Sequence, residues 1–386
     1  MPKLADRSIC SGCTACLASC PVGAIVMRPD IEGFLYPYVD GRRCVNCGRC
    51  ESVCPALGIR GKSLPIECFA ATTLDQGLLM DSSSGGIFTE LAKPFLEVGG
   101  CVFGCVFERG SWDVVHAKAE KLPELSAMRG SKYVQSDMRD TLKEVKRECS
   151  SGREVLFSGT PCEIAGLKAY LGRDYPNLLT VGLICHGTPS GYFFKRRLAS
   201  LRRGEDGVTG ITFRSKRLGW ERFCLEISYQ SGRNFYEMQQ TGVYMRLFNS
   251  DVAHRLSCYD CKSRAGRSGA DILIGDFWGV EKFHQDMYDE RGVSAVLVYT
   301  QRGLEAYNRL QVKGKRVSFK EIAYANKNIQ GDVVMTWRRR WCYRLLRVFP
   351  MNWVAEFFAM SRVNYWKRLL YPIYRPVKHF FNWVAD

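Results

Sequence analysis

From Glu67 the chain alternates short apolar runs with amphipathic stretches, and the alternation predicts its elements. "ECFAATT" reads as a strand, "SSSGGIFTELAKPFLEV" as a loop opening into an amphipathic helix, and "GGCVFGCVF" as a buried strand. "GREVLFSGTPCEIAGLKAYLG" reads as strand, glycine-proline loop and helix, and "LLTVGLICHGTPSGYFFKRRLASL" repeats that order. Strands that alternate with helices predict an α/β domain with at least part of its sheet parallel. Between Gly210 and Met238 the period changes to that of antiparallel strands, ahead of a helix in "GVYMRLFNS". The linker "PALGIRGKSLP" separates this from a cysteine-rich amino end. The expected organisation is a small domain over 1–60, an α/β domain with an antiparallel insertion over 66–330, and a helical basic tail over 331–386, an α+β / α/β architecture overall.

The 386 residues are 46% hydrophobic, enough for a sizeable core, with 55 basic against 39 acidic side chains. The start "MPKLADRSIC" has no apolar run behind its basic residue, so no secretory signal is read. No stretch approaches the roughly 18 uninterrupted apolar residues of a membrane-spanning helix. A reducing cytoplasm is therefore expected, where 18 cysteines point to metal or redox chemistry rather than disulfides. Ten of the basic residues fall between Trp337 and Asp386 against two acidic ones, interleaved with Trp, Tyr and Phe at helical spacing. Such a tail suits peripheral contact with the inner face of a membrane, or packing on the core or on a partner enzyme. Nucleic acid is the weaker reading, because no recognised binding module accompanies the charge.

Cys10, Cys13, Cys16 and Cys20 precede Pro21, and Cys44, Cys47, Cys50 and Cys54 precede Pro55. Both runs are C-x2-C-x2-C-x3-C-P, the spacing of two-cluster bacterial ferredoxins, in which the fourth cysteine crosses to the other cluster. Three thiolates on a tight loop reach three irons of one cubane, and the fourth points away. Cys10, Cys13, Cys16 and Cys54 are thus assigned to one [4Fe-4S] cluster, and Cys44, Cys47, Cys50 and Cys20 to the other. Structural zinc needs only two close pairs, not two complete runs of four. A domain this small is a wire, fed by a ferredoxin or another low-potential donor.

A second constellation is more scattered. Cys162 in "SGTPCE" and Cys185 in "LICHGTP" lie just past predicted strands, and Cys258 and Cys261 form a C-x2-C pair. Loops at the carboxyl ends of neighbouring strands converge in an open α/β sheet, so four thiolates there would make a third cluster. On spacing alone they read equally well as small buried hydrophobes. Cys68, Cys101, Cys105, Cys149, Cys224 and Cys342 are read as buried.

"SSSGGIFTELA", "RGSKYVQS", "FSGTPCEIAGL", "ICHGTPS", "SCYDCKSR" and "ADILIGDFWG", in this order behind a two-cluster module, resemble the coenzyme F(420) hydrogenase/dehydrogenase beta-subunit family. The resemblance, which covers residues 1 to about 285, implies FAD in the α/β domain beside a cluster held by Cys162, Cys185, Cys258 and Cys261. It implies a flavin site at Ser84, Gly85 and Gly86, at Arg129, Gly130, Ser131, Lys132 and Tyr133, and at Gly159 and Thr160. Glycine loops that open helices suit a pyrophosphate, and Lys132 or Arg129 suits its charge; the bland reading of "SSSGG" is a cap and turn. The G-x-G-x-x-G fingerprint of nicotinamide dehydrogenases is missing. Lys132, His186 and Asp276 are the candidate catalytic groups, with capping the alternative for His186. Phe277 and Trp278 read as ring-stacking groups or as core. The expected activity is reduction of a small organic substrate through FAD. The resemblance alone suggests a place in surface polysaccharide synthesis. A non-catalytic electron-transfer subunit and a deazaflavin-dependent dehydrogenase subunit are the alternatives.

Overall fold

The computed structural model describes residues 1–359 apart from 59, 60, 202, 203, 205, 330 and 332. The two cysteine runs fold alike because the same left-handed turns recur at matching places. Gly12 and Asn46 have φ of +75° and +52°, and Thr14 and Gly48 have +63° and +73°. Each run then enters a short helix, Ala15–Ser19 or Arg49–Ser52, so the first three thiols curl inward and the fourth is carried past the helix. Between the runs lies an antiparallel hairpin of β1 (Ile25–Pro29) and β2 (Leu35–Val39).

The larger domain is built on an eight-stranded mixed sheet. Its strands are β3 (Glu67–Thr73), β4 (Cys101–Phe107), β5 (Val114–Ala119), β6 (Val155–Gly159), β7 (Leu178–Leu183), β11 (Ile272–Asp276), β12 (Ser294–Val298) and β13 (Val312–Arg316). The order is β13-β3-β12-β11-β7-β6-β4-β5. The four strands β4, β6, β7 and β11 are parallel, as the strand–loop–helix repeats predict, and their buried, uninterrupted apolar runs are those of a sheet covered on both faces. The remaining four pair antiparallel, including β5, β12 and β13, which the sequence reading did not single out.

Residues 208–238 form a separate antiparallel sheet of β8 (Val208–Ser215), β9 (Cys224–Tyr229) and β10 (Asn234–Met238). Two carboxyl-terminal helices, Trp337–Val348 and Met351–Ala359, pack against this half through Cys342, Tyr343, Leu346, Val354 and Phe358. The rest of the predicted tail, 360–386, lies outside the described residues. The cysteine module is docked on the larger domain: Glu32 forms an ion pair with buried Arg339, at 2.6 and 3.0 Å, and its carbonyl accepts from Ser190 Oγ at 2.6 Å.

Candidate redox site

The crossing of the fourth cysteines is visible in the packing. One small cavity is lined by Cys10, Cys13, Cys16 and Cys54, with Pro55 beside them, and a second by Cys20, Cys44, Cys47 and Cys50. The two environments differ. Cys47 is exposed at the surface, whereas Cys10 is buried. Burial pushes the Cys13 thiol up to about 11, and the neighbouring Cys10 and Cys54 add to it. Cys16 is pushed up by burial and then by Cys13, Cys10 and Cys54. Four thiolates that repel one another in a dry pocket call for a cationic core between them.

The scattered constellation also converges. Cys162 lies in the first turn of the helix Pro161–Leu171, which starts directly after β6, and its Sγ is 3.2 Å from Thr160 Oγ1. Glu163 turns back to accept from the Thr160 backbone N–H at 2.7 Å, which fixes this turn. Cys185 follows β7, and Cys258 ends a one-turn helix whose Cys258 N–H donates to the Arg255 carbonyl at 3.0 Å. Burial, then Glu163, Cys261 and Cys185, push the Cys162 thiol well up; burial, then Cys258, push Cys185 up to about 12. This donor set has the same chemistry as the first two quartets.

Two contacts join the third quartet to the first. Gly166 lies one turn along the helix from Cys162, and a Cβ there would meet Cys13 Cβ at 2.7 Å and Cys13 Sγ at 2.8 Å. Arg255, 1% exposed, donates from Nε to the Cys10 carbonyl at 2.7 Å and brings an Nη to 3.9 Å from Cys10 Sγ. Its other donors go to Gln135 Oε1 and the Leu35 carbonyl, both at 2.9 Å.

Cys185 opens onto a cavity of about 650 Å³ at the carboxyl ends of β6, β7 and β11. Ser84, Gly86, Arg129, Gly130, Ser131, Lys132, Tyr133, Gly159, Thr160, His186 and Asp276 all line it. Ser131 N–H donates to Ser83 Oγ at 2.7 Å and locks the two loops together. Arg129 pairs with Asp81 at 3.2 Å, yet its buried Nε has no hydrogen-bond partner in the described structure. A buried donor of that kind fits an anionic ligand.

Three expectations need correction here. Gly85 does not line the cavity: its N–H donates to Ser294 Oγ at 2.9 Å, and a Cβ on it would meet the Ala71 carbonyl at 2.3 Å, so it serves close backbone packing. Lys132 is no free acid or phosphate ligand. Its ammonium donates to the carbonyls of Ala127, Met128, Arg129 and Gly130 at 2.9 to 3.2 Å, holding the loop in shape. Asp276 is saturated by Arg214, at 2.8 and 2.9 Å, and by Trp220 Nε1 at 2.5 Å, so it positions Arg214 rather than relaying protons. Arg214, which the sequence reading missed, also reaches Tyr133 Oη at 3.1 Å and the Ser83 carbonyl at 3.2 Å. Phe277 is core, whereas Trp278 stacks on Trp220 at 4.7 Å on the cavity wall.

His186 is tethered rather than free. Its Nε2 is 2.6 Å from Asp251 Oδ1, and the same oxygen is 3.1 Å from His254 Nε2. Burial pulls His254 down to about 4. Burial alone would raise Asp251, but its hydrogen bonds to the two imidazoles reverse this and hold the carboxyl below its ordinary range. Neither Asp251 nor His254 carries a spacing signal that marks it in the sequence.

Residues 9–57 match the family model described as the 4Fe-4S dicluster domain, and residues 152–323 match the model for the carboxyl terminus of the coenzyme F420 hydrogenase/dehydrogenase beta subunit. The chain belongs to the coenzyme F420 hydrogenase/dehydrogenase beta-subunit family. The second match takes in the whole third quartet, Arg214 and Asp276. Among the curated relatives of this beta-subunit-family chain, the F-type subunit of the F(420)H(2) dehydrogenase of Methanosarcina mazei is 25% identical over 202 residues. That alignment covers 48% of this chain and 56% of the relative, so the chain spans little more than half of that relative's length. An uncharacterised protein of Methanocaldococcus jannaschii is 23% identical over 345 residues, 80% of this chain and 88% of its own. A chain of the F420-reducing [NiFe] hydrogenase complex from Methanosarcina barkeri is 19% identical with a TM-score of 0.47, covering 77% of this chain and 91% of that chain.

Proposed function

We propose that this chain is an iron–sulfur flavoprotein oxidoreductase that carries single electrons through three [4Fe-4S] sites to or from a flavin in the large cavity, where a small organic molecule is reduced or oxidised. The dicluster domain supports the first two sites. One observation carries the reading: Cys13 of the buried quartet packs on Gly166, one helical turn from Cys162, and Cys162 belongs to the quartet whose Cys185 opens on the cavity. Four residues of helix rise only about 6 Å, so the third site is the natural relay between the module and the cavity. The exposed quartet around Cys47 is then the outer terminal, open to a ferredoxin-like partner.

The residues of the cavity suit FAD. A flavin there would exchange hydride with an organic molecule and single electrons with the clusters. Arg129, with its unpartnered Nε, and Arg214, fixed by Asp276, supply positive charge toward a pyrophosphate, while Ser84, Gly86, Ser131 and Thr160 supply short polar groups beside it. Trp278, held flat by Trp220, offers a face to a ring.

Anaerobic purification followed by acid extraction of flavin tests this reading. One FAD per chain, lost in Arg214→Leu with the iron content unchanged, is the expected outcome; a chain that holds its iron but no flavin contradicts it. A second reading, an electron-transfer subunit of a larger complex working on deazaflavin, is favoured by the likeness to a named dehydrogenase subunit. Oxidation of reduced coenzyme F420 by the isolated chain with a dye acceptor distinguishes it from reduction of another substrate. The resemblance alone supports a role in surface polysaccharide synthesis. The carboxyl-terminal helices lie off the electron route and offer a surface to a membrane or to a partner enzyme.

A further inference from the structure

The helix Trp337–Val348 has two stripes where a surface helix normally has one. Arg339, Cys342, Tyr343 and Leu346 are buried and complete the packing on the core. The opposite face, at the same helical spacing, carries Trp337, Arg340, Trp341, Arg344, Arg347 and Val348, all exposed. The following helix repeats the arrangement: Met351, Val354, Ala355 and Phe358 face inward, while Trp353 and Phe357 are 69% and 56% exposed.

Large apolar side chains left in water beside unpaired arginines mark a docking surface. Trp337 and Trp341 are 59% and 48% exposed, far more than packing requires. The one carboxylate of these two helices, Glu356, is turned to Arg246 at 2.8 Å, so it does not neutralise the arginine stripe. Residues 360–386 continue the composition, with five Lys or Arg against one Asp and seven aromatic residues. Among the described residues no helix is long and apolar enough to cross a membrane.

We propose that this face docks the protein on the surface of an anionic lipid bilayer. The tryptophans sit at the headgroup level, where a ring with one polar edge is best solvated, and Arg340, Arg344 and Arg347 pair with lipid phosphates. Two features favour lipid over a protein partner. The cations are spread along the stripe between indoles instead of meeting in one pocket, and the apolar groups are rings suited to an interface rather than a groove that a side chain would fill.

The test is flotation of the full chain, purified anaerobically with its iron, against vesicles of phosphatidylcholine with and without phosphatidylglycerol, while following tryptophan emission. The expected result is binding that needs phosphatidylglycerol, falls with salt, and shifts the emission to the blue. Arg340→Glu with Arg344→Glu, and separately Trp341→Ser with Trp353→Ser, are expected to weaken it at least about tenfold. All four residues are exposed, so iron content and melting temperature stay at the wild-type values. Failure of the wild-type chain to float, equal binding to neutral vesicles, or unchanged binding by both double variants overturns the proposal and hands the face to residues 360–386 or to a protein partner. Because neither flavin nor cluster chemistry enters the readout, the outcome is independent of the proposed activity.

Discussion

Gly166 and Cys13 touch so closely that a side chain at position 166 would overlap the cysteine: an added Cβ falls 2.8 Å from its Sγ. The amino-terminal module is thereby keyed to the helix that begins at Cys162, and the spacing between two cysteine quartets is set by the absence of one carbon atom. Gly166→Val is expected to push the module off this helix at a cost of about 1–3 kcal/mol, the usual range for overpacking. Iron in the module should survive, since none of its ligands is changed. Stopped-flow reduction of the flavin by a donor that enters at the outer quartet should slow at least about tenfold, because electron transfer falls steeply with distance. An unchanged rate would show that the electrons take another route.

Arg255 stands between the same two quartets. It is 1% exposed, and among the described residues no carboxylate forms an ion pair with it. Burying a guanidinium without a countercharge is costly, and the nearest anionic groups are the thiolates around Cys10 and Cys258. Its positive charge favours the reduced, more negative state of a cluster. Arg255→Gln is therefore expected to move the midpoint of an adjacent cluster to more negative potential in a redox titration followed by electron paramagnetic resonance, and Arg255→Lys to leave it near the wild-type value. Equal midpoints in all three proteins would reduce the residue to a mechanical clamp on the Cys10 carbonyl.

Lys216 should leave a mark on stability against pH. It is 7% exposed and donates to the carbonyls of Leu79 and Ser84, at 2.7 and 3.0 Å, and burial, reinforced by the Arg214 charge, pulls it down to about 7. The unfolded chain keeps this proton to about 10.4. Between these values the unfolded state binds more protons than the folded one, so stability rises with pH across that window, by about 1.4 kcal/mol for each unit of difference. Melting temperatures measured from pH 7 to pH 9.5 should rise more in the wild type than in Lys216→Met. Parallel curves would mean that the two carbonyls keep the ammonium charged.

What could be read from the sequence depended on how local each feature is. The two ferredoxin-like quartets, including the exchange of Cys20 and Cys54, were legible because three-residue spacing on a tight loop fixes where a thiol points. The parallel core was legible from two repeats of strand, loop and helix. The strands β5, β12 and β13 were not, since antiparallel edge strands carry a weaker pattern and owe their pairing to the sheet they join. Lys132 and Asp276 were placed correctly on the cavity wall but given the wrong work: sequence reveals a charge and not its partner, and both charges are spent on loop carbonyls or on Arg214. Arg214, Arg255, Asp251 and His254 became visible only in three dimensions, because each acts through residues tens to hundreds of positions away or through a turn no motif announces.

The central claim is that a third sulfur quartet links the ferredoxin-like module to the cavity. It is tested most directly by counting iron and acid-labile sulfide per chain in anaerobically purified wild type and in a Cys258→Ala, Cys261→Ala double variant. Three cubanes predict about twelve iron in the wild type and about eight in the variant, at four irons for each cluster. About eight in both proteins would contradict the account, leaving the module's electrons with no relay at the cavity.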